Sequence, residues 1–375
     1  MNPRAMNVEE LMREVVERNA SDGFLTARAS PAVKVDGQIY SLDVPALGEE
    51  EVRELVLGTL SDAQKSDFLR THECNYALQS EAYGRFRASA FVQRGNCGLV
   101  IRRIQTRIPR VDELDLPPII EELAMTKRGL VIFVGGTGTG KSTSLAAMVG
   151  HRNRNSRGHI VTVEDPIEFI HDHAGCLVTQ REVGLDTISF ETALQNALRQ
   201  APDVILIGEV RNAETMSHAL AFAETGHLCL CTLHANNANQ ALDRILSFFP
   251  SEMHNQVWMD LSLNLKAMVA QQLLPRKSGP GRVPVMEVLL NSALISDHIR
   301  NGQVHEIKGV IARSNEQGMM TLDQSLLVAY KEGLISREEA IRSADSANDV
   351  RLGIKLHDKG QRGVASRVKL TIDGA

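Results

Sequence analysis

Long apolar runs are missing from this chain of 375 residues, and no stretch approaches the roughly 20 residues that a membrane-spanning helix needs. The N-terminus, Met-Asn-Pro-Arg-Ala-Met-Asn, lacks the apolar core of a secretory signal, so the expected site of action is cytoplasmic. Cysteine is scarce. The five present, Cys74, Cys97, Cys176, Cys229 and Cys231, fall in no C-x-x-C pair and so suggest neither a zinc ribbon nor a disulfide framework. Reduced, mostly buried thiols are the expected state. An excess of positive charge is absent as well. With 46 acidic against 41 basic residues and a formal net charge of -5, the chain is not one whose main business is coating nucleic acid. Its partners are expected to be proteins. What it does have is 43% hydrophobic content over a length that favours two domains over one.

The stretch Gly135-Gly136-Thr137-Gly138-Thr139-Gly140-Lys141-Ser142-Thr143 fits the phosphate-loop spacing G-x-x-x-x-G-K-[ST] without a gap. The apolar run Gly129–Val134 before it reads as a buried strand, and Ser144–Val149 after it reads as a helix. That order is what the motif requires, because loop N–H groups and a helix N-terminus together make an anion site. Lys141 is then placed to neutralise β- and γ-phosphate oxygens, and the Ser142 hydroxyl to ligate Mg²⁺, with Thr143 as a second candidate. The expected ligands are ATP and Mg.

Along the chain, Val8, Leu11, Met12, Val15 and Val16 share one helical face behind an Asn7/Glu10 capping box. Short β-type segments follow around Val35-Asp36-Gly37. Two further helices are expected, at Val52–Val56 and behind Ser61/Gln64. The alternation in Arg85–Phe91 predicts a half-buried strand that Gly98–Ile101 continues, so residues 1–106 read as a small α+β domain. Residues 107–118, with Pro109, Pro117 and Pro118 among charges, read as an interdomain linker. Residues 119–345 alternate apolar strands with helices (Val131–Val134, His159–Val163, Val204–Ile207, Leu228–Leu233), which predicts a largely parallel sheet with its ligand at the strands' carboxyl ends. Beyond them the pattern turns helical, with Trp258, Leu261, Leu265 and Met268 on one face and Ser336/Glu339 capping a later helix. From 346 to 375 the pattern weakens, and a flexible arm and a docking element both fit.

Two further motifs fall at the same sheet edge as the phosphate loop. Glu164, Asp165 and Glu168 follow one strand, and one of them can orient an attacking water. The run Pro202-Asp203-Val-Ile-Leu-Ile-Gly208-Glu209 is an apolar strand ending in a carboxylate suited to position Mg²⁺ or its waters. His227 enters and His234 leaves the buried strand between them, as γ-phosphate sensors or as ordinary core and cap residues. Arg85 and Arg87 are either solvated or, in a ring of subunits, within reach of a neighbour's triphosphate.

In that order and spacing, GGTGTGKST, VEDPIEF, LRQAPDVILIGEVRNAET and TGHLCLCTLHANNA resemble the secretion-type ATPases, and among them the pilus-retraction (PilT/PilU) branch. The resemblance extends to the N-terminal NASD, VDG and RFR segments. It implies an α/β architecture of PAS-like N-terminal and RecA-like C-terminal domains in a homohexamer. It also implies Glu168 as catalytic carboxylate, Glu209 as Walker B residue, His227 and His234 as a histidine-box pair, and Arg85, Arg87 and Arg128 as arginine fingers. The implied activity is ATP-driven pilus retraction at the inner face of the cytoplasmic membrane, against a membrane platform protein. The family usually reads LRxDPD and GExRD, where this chain has Arg199-Gln-Ala201-Pro-Asp203 and Arg211-Asn212, and Leu294-Ile-Ser-Asp297 replaces the AIRN signature of the PilT side. These departures, with the extended tail, favour the PilU side and an auxiliary motor working beside a PilT-like ATPase. The four-cysteine zinc insert of the extension and type II secretion ATPases is absent, which counts against that alternative. A nucleic-acid translocase and a low-turnover nucleotide-binding subunit are the readings from other classes.

Overall fold

The computed structural model describes residues 6–35, 37–104 and 107–368, with side chains described throughout except at 316 and 360–368. Asp36, residues 105 and 106, and the two ends at 1–5 and 369–375 lie outside the described residues. The chain is a mixed α/β protein of two compact units. One comprises Met1–Arg107 with the short segments Ile167–Ile170 and Gly184–Asp186, and the other contains the rest.

The first unit runs α1 (Val8–Glu17), β1 (Asp22–Thr26), β2 (Ala32–Val35), β3 (Gln38–Ser41), α2 (Glu49–Gly58), α3 (Asp62–Thr71), β4 (Glu73–Ser80), β5 (Gly84–Gln93) and β6 (Asn96–Arg103). Its sheet is antiparallel in the order β3-β2-β1-β6-β5-β4. The Asn7/Glu10 and Ser61/Gln64 capping boxes start α1 and α3 as their spacing predicts, each satisfying orphan N–H groups at a helix start. In β5 the strand's period of two buries Phe86, Ala88 and Ala90 and leaves Arg85 and Arg87 half-buried on the opposite face. Phe86 is completely buried, so its replacement by alanine would remove about 3–5 kcal/mol from this unit.

In the second unit the elements are α4 (Ile119–Ala124), β7 (Gly129–Val134), α5 (Lys141–Asn155), β8 (His159–Glu164), β9 (Leu177–Glu182), α6 (Phe190–Ala197), β10 (Val204–Ile207), α7 (Ala213–Glu224), β11 (Leu228–Leu233), α8 (Ala238–Ser247), α9 (His254–Asn264), β12 (Leu265–Pro275), β13 (Arg282–Leu290), α10 (Ala293–Arg300), α11 (Val304–Arg313), α12 (Leu322–Lys331), α13 (Arg337–Arg342) and α14 (Ala347–Val368). The sheet order is β13-β12-β7-β11-β10-β8-β9, parallel throughout except for β13. Every residue of β7, β10 and β11 is buried, as strands covered on both faces must be. Val131, Phe133 and Leu230 face one core, packed with Leu145 and Met148 of α5. Ile132, Cys229 and Cys231 face the other, packed with residues of α6 to α9. The proline-bearing stretch before α4 contains one short 3₁₀ turn (Asp112–Leu114), and its Val111 and Leu116 are buried in the second unit's core.

One sequence expectation is corrected. Leu265 and Met268 do not continue the helical face of Trp258 and Leu261, because α9 stops at Asn264 and Leu265 is already extended (φ -60°, ψ 136°). No glycine or proline marks the change. Ala267 to Ala270 instead fill the sheet position beside β7, buried on both faces, and strand pairing there outweighs a helix periodicity that would leave half of them in water. Residues 347–359, for which the sequence left a flexible arm and a docking element both open, lie in α14. Val350 and Ile354 join a core with Leu322, Leu326 and Ala340. Gly353 packs so closely that a Cβ there would lie 2.7 Å from Leu327 Cδ1.

Candidate active site

Strand register places the site. Val134 pairs with Leu233, Cys231 with Ile207, and Ile207 with Val163, so the loops after β7, β11, β10 and β8 leave the sheet at one edge. The loop after β7 is the phosphate loop. Gly138 (φ 79°) and Gly140 (φ 89°) adopt the left-handed conformation that glycine takes without penalty, and Gly140 caps α5. No acidic residue lies in the first turn of α5, so the positive end of the helix dipole is left for an anion. Lys141 is 8% exposed and donates from Nζ to the carbonyls of Gly135 (2.8 Å) and Gly136 (2.7 Å), which holds the ammonium over the loop's hollow. Thr139 Oγ1 donates to Gly136 O at 3.0 Å and tightens the turn.

Across the edge stand the carboxylates. Glu209 follows β10. Its Oε2 lies 2.7 Å from Arg211 Nη2, and its Oε1 lies 3.0 Å from His234 Nε2 beyond β11. Arg211 also reaches to 3.8 Å from Asp165 Oδ2. The hydrogen bond from Arg211 to Glu209 raises the guanidinium's pKa further, so this cation is permanent. Thr232 Oγ1 donates to Gly208 O (2.6 Å), and Val210 N donates to Thr232 O (2.9 Å), which fixes the Glu209 backbone between two strands. Glu164 Oε1 accepts from Thr162 Oγ1 (2.6 Å) and Gln180 Nε2 (3.2 Å). Gly208 permits the close approach of these two strand ends, since a Cβ there would lie 3.2 Å from Glu164 Cα.

The structure thus gathers the phosphate loop, Glu164, Asp165, Glu209, Arg211 and His234 on one edge of the second unit. Within that unit it does not bring His227 and Arg128 to the same edge. His227 and Arg128 precede β11 and β7, whose first residues Leu228 and Gly129 are paired, and this puts both at the opposite edge, about 20 Å away over six strand residues. His227 Nδ1 sits there against Phe222 O (3.2 Å) and Thr225 Oγ1 (3.1 Å). The idea that both histidines read one γ-phosphate is therefore corrected for a single subunit, because a strand of this length separates them. Glu168 is exposed and falls in Ile167–Ile170, which belongs to the first unit, as do Arg85 and Arg87.

Arg211 stands inside the GEVRNAET segment without being one of its candidate site residues, and two further residues at this edge carry no motif. Gln271 is a lone amide in the buried run of β12, bonded to Ser144. Arg282, which donates to Gly138 O at 3.2 Å, gives no signal in the sequence, because only the β12–β13 hairpin brings it to the loop.

The residues fit a nucleotide triphosphate: left-handed glycines, a buried ammonium and an uncompensated helix N-terminus converge on one hollow. Among the described residues no group of three or more His, Cys, Asp or Glu could hold a metal by itself. A Mg²⁺ here would depend on the Ser142 hydroxyl, phosphate oxygens and Glu209 through water, the sparse protein ligation typical of this ion.

A parallel sheet with a phosphate loop after one strand and a carboxylate just past the end of another strand of the same sheet defines the P-loop ATPases, and the chain is one. Residues 76–368 match the family described as "Type II/IV secretion system protein", and the chain belongs to that family. It is 62% identical over 351 residues to the type IV pilus ATPase PilU of Pseudomonas aeruginosa strain PAO1, covering 94% of this chain and 92% of that protein. Its identity to the type IV pilus retraction ATPase PilT of the same strain is 39% over 339 residues, covering 90% and 98%. A crystal structure of the pilus retraction motor PilT with bound ADP matches with a TM-score of 0.86 at 37% identity, covering 92% of this chain and 98% of that one. No helix among the described residues is long and apolar enough to cross a membrane.

Proposed function

We propose that this chain is a PilU-like motor that hydrolyses ATP to drive type IV pilus retraction in twitching motility. It acts as a homohexamer at the cytoplasmic face of the inner membrane, against a pilus platform protein and beside a PilT-like ATPase. The observation that carries the reading is the Glu209–Arg211–His234 network on the same sheet edge as the phosphate loop, in a chain alike over 94% of its length to a pilus ATPase. Lys141 and the loop amides hold the β- and γ-phosphates, and a bound Mg²⁺ neutralises their charge. His234, exposed beside Glu209, is placed to register the γ-phosphate. Glu168 is the proposed catalytic carboxylate that orients water, with Glu164 and Glu209 as the alternatives. The first unit is read as the PAS-like domain and the second as the RecA-like one.

Hydrolytic groups are complete, whereas Leu294–Asp297, at the start of α10, departs from the retraction signature; Leu294 is 51% exposed. Catalysis and coupling to the pilus base are then separable, which is the basis for an auxiliary role. The test uses a strain lacking every other retraction ATPase. Expression of this chain alone should leave pili extended, and adding a PilT-like ATPase should restore retraction with higher force than that ATPase gives by itself. Retraction by this chain alone would make it self-sufficient and sink the auxiliary reading.

Arg85 and Arg87 are proposed to act on a neighbour's nucleotide, together with His227 and Arg128, which cannot reach the loop of their own subunit. A guanidinium suits transferring phosphoryl charge, typically by a large factor in rate. Mixing Arg87→Ala with Lys141→Ala subunits should give ATP turnover above that of either preparation alone, because some interfaces then combine an intact loop with an intact arginine. No gain in rings shown to be mixed would place the arginine in cis.

A further inference from the structure

Every member of the network above could be sought from the motifs, but the phosphate loop also leans on a residue that none of them contains. Ala270 of β12 is paired with Val134, the last residue of β7, so Gln271 falls beside Gly135, where the loop begins. It is 3% exposed. Its main-chain oxygen would lie 2.8 Å from a Cβ on Gly135, and its Nε2 would lie 2.8 Å from a Cβ on Gly140. Its Oε1 accepts from Ser144 Oγ at 2.8 Å, and Ser144, in the first turn of α5, is 1% exposed. One buried residue therefore touches the loop's first glycine, its last glycine and the helix turn that carries Lys141 and Ser142.

A buried amide is held in place by its hydrogen bonds, since leaving one unmade costs the desolvation of that polar group. We propose that Gln271 is a positioning residue for nucleotide binding. Its bond to Ser144 fixes the amide plane, and the amide in turn fixes Gly140 and the start of α5 at the distance from Gly135 that a pyrophosphate requires. The alternate residue Leu273 packs beside Gly140, with Cδ1 at 3.0 Å from the same Cβ position. The amide nitrogen sits at the helix end of the loop, against Gly140. A leucine of similar size would keep the packing and lose both the acceptor and the donor. The inference rests on the reading of Gly135–Thr143 as a nucleotide site and not on the pilus assignment.

The test takes Gln271→Leu, Ser144→Ala and the double variant in the full chain, and measures steady-state ATP hydrolysis, binding of a fluorescent ADP analogue and thermal unfolding. Each single variant should raise both KM for ATP and Kd for the analogue by about 5- to 20-fold, the loss of one buried hydrogen bond, with kcat within about 3-fold. The double variant should be no worse than the poorer single one, because the two residues act through one bond. A purely structural role would lower the folded, active fraction and hence kcat at unchanged KM. Unchanged KM and Kd in the single variants, or additive losses in the double, would overturn the proposal. Should Gln271→Leu fail to fold, Ser144→Ala, which only removes a hydroxyl, decides the matter alone. Wild-type protein that binds the analogue but fails to hydrolyse ATP would count against the motor reading, while the binding measurement would still decide this one.

Discussion

Replacing Lys141 with alanine is expected to abolish ATP hydrolysis, lowering kcat by at least about 10³-fold, because the buried ammonium held over the loop is removed from developing phosphoryl charge. The fold should survive. Lys141 spends its charge on the carbonyls of Gly135 and Gly136, while α5 is anchored by Leu145, Ala147, Met148 and Val149, each 2% exposed or less. The two carbonyls regain water when the side chain is gone, so the net loss of stability is on the order of 1–2 kcal/mol. Circular dichroism and thermal unfolding alongside phosphate release check both halves. An unfolded variant would show that the loop is built by its lysine and not by its glycines and the β12 neighbour.

Changing Glu209 to glutamine should leave nucleotide binding within a few-fold and slow turnover by about 10²-fold. The amide keeps the shape but cannot anchor both Arg211 and His234, which now approach its two oxygens at 2.7 and 3.0 Å. Arg211 would be left to Asp165 at 3.8 Å, and His234, 46% exposed, would be free to swing into water. Turnover and analogue binding measured on the same preparation give the split between the two effects. The companion variant Glu168→Gln should bind ATP and also turn over slowly if Glu168 orients the water. Wild-type rates in Glu168→Gln with a deep loss in Glu209→Gln or Glu164→Gln would transfer that role to the edge of the second unit.

The phosphate loop, the buried parallel strands and the two capping boxes were legible because each rests on local chemistry: glycine at left-handed turns, unbroken apolar runs, side chains that bond three residues along. The β12–β13 hairpin was not. Leu265–Pro275 carries no breaker before it and shows a helical spacing by accident, and its strand form is set by the open backbone of β7 beside it. His227 and His234 looked equivalent because seven residues along a chain say little about distance. The buried strand between them, already legible in the apolar run, puts a strand's length between the two rings once its register in the sheet is fixed.

By itself the sequence determined the chemistry at this edge: which loop can hold phosphate, which strand ends in a carboxylate, and which class of ATPase the order of those motifs belongs to. Residues close in the chain suffice for that, because a phosphate loop is built from consecutive backbone amides. Only the tertiary structure decided which candidates share a site. Strand register brings Glu209, Arg211 and His234 together, sends His227 and Arg128 to the far edge, and sets Gln271 and Arg282 against a loop more than 120 residues earlier in the chain. Such contacts depend on which strands become neighbours, and that choice is made by burial of whole faces rather than by any local pattern.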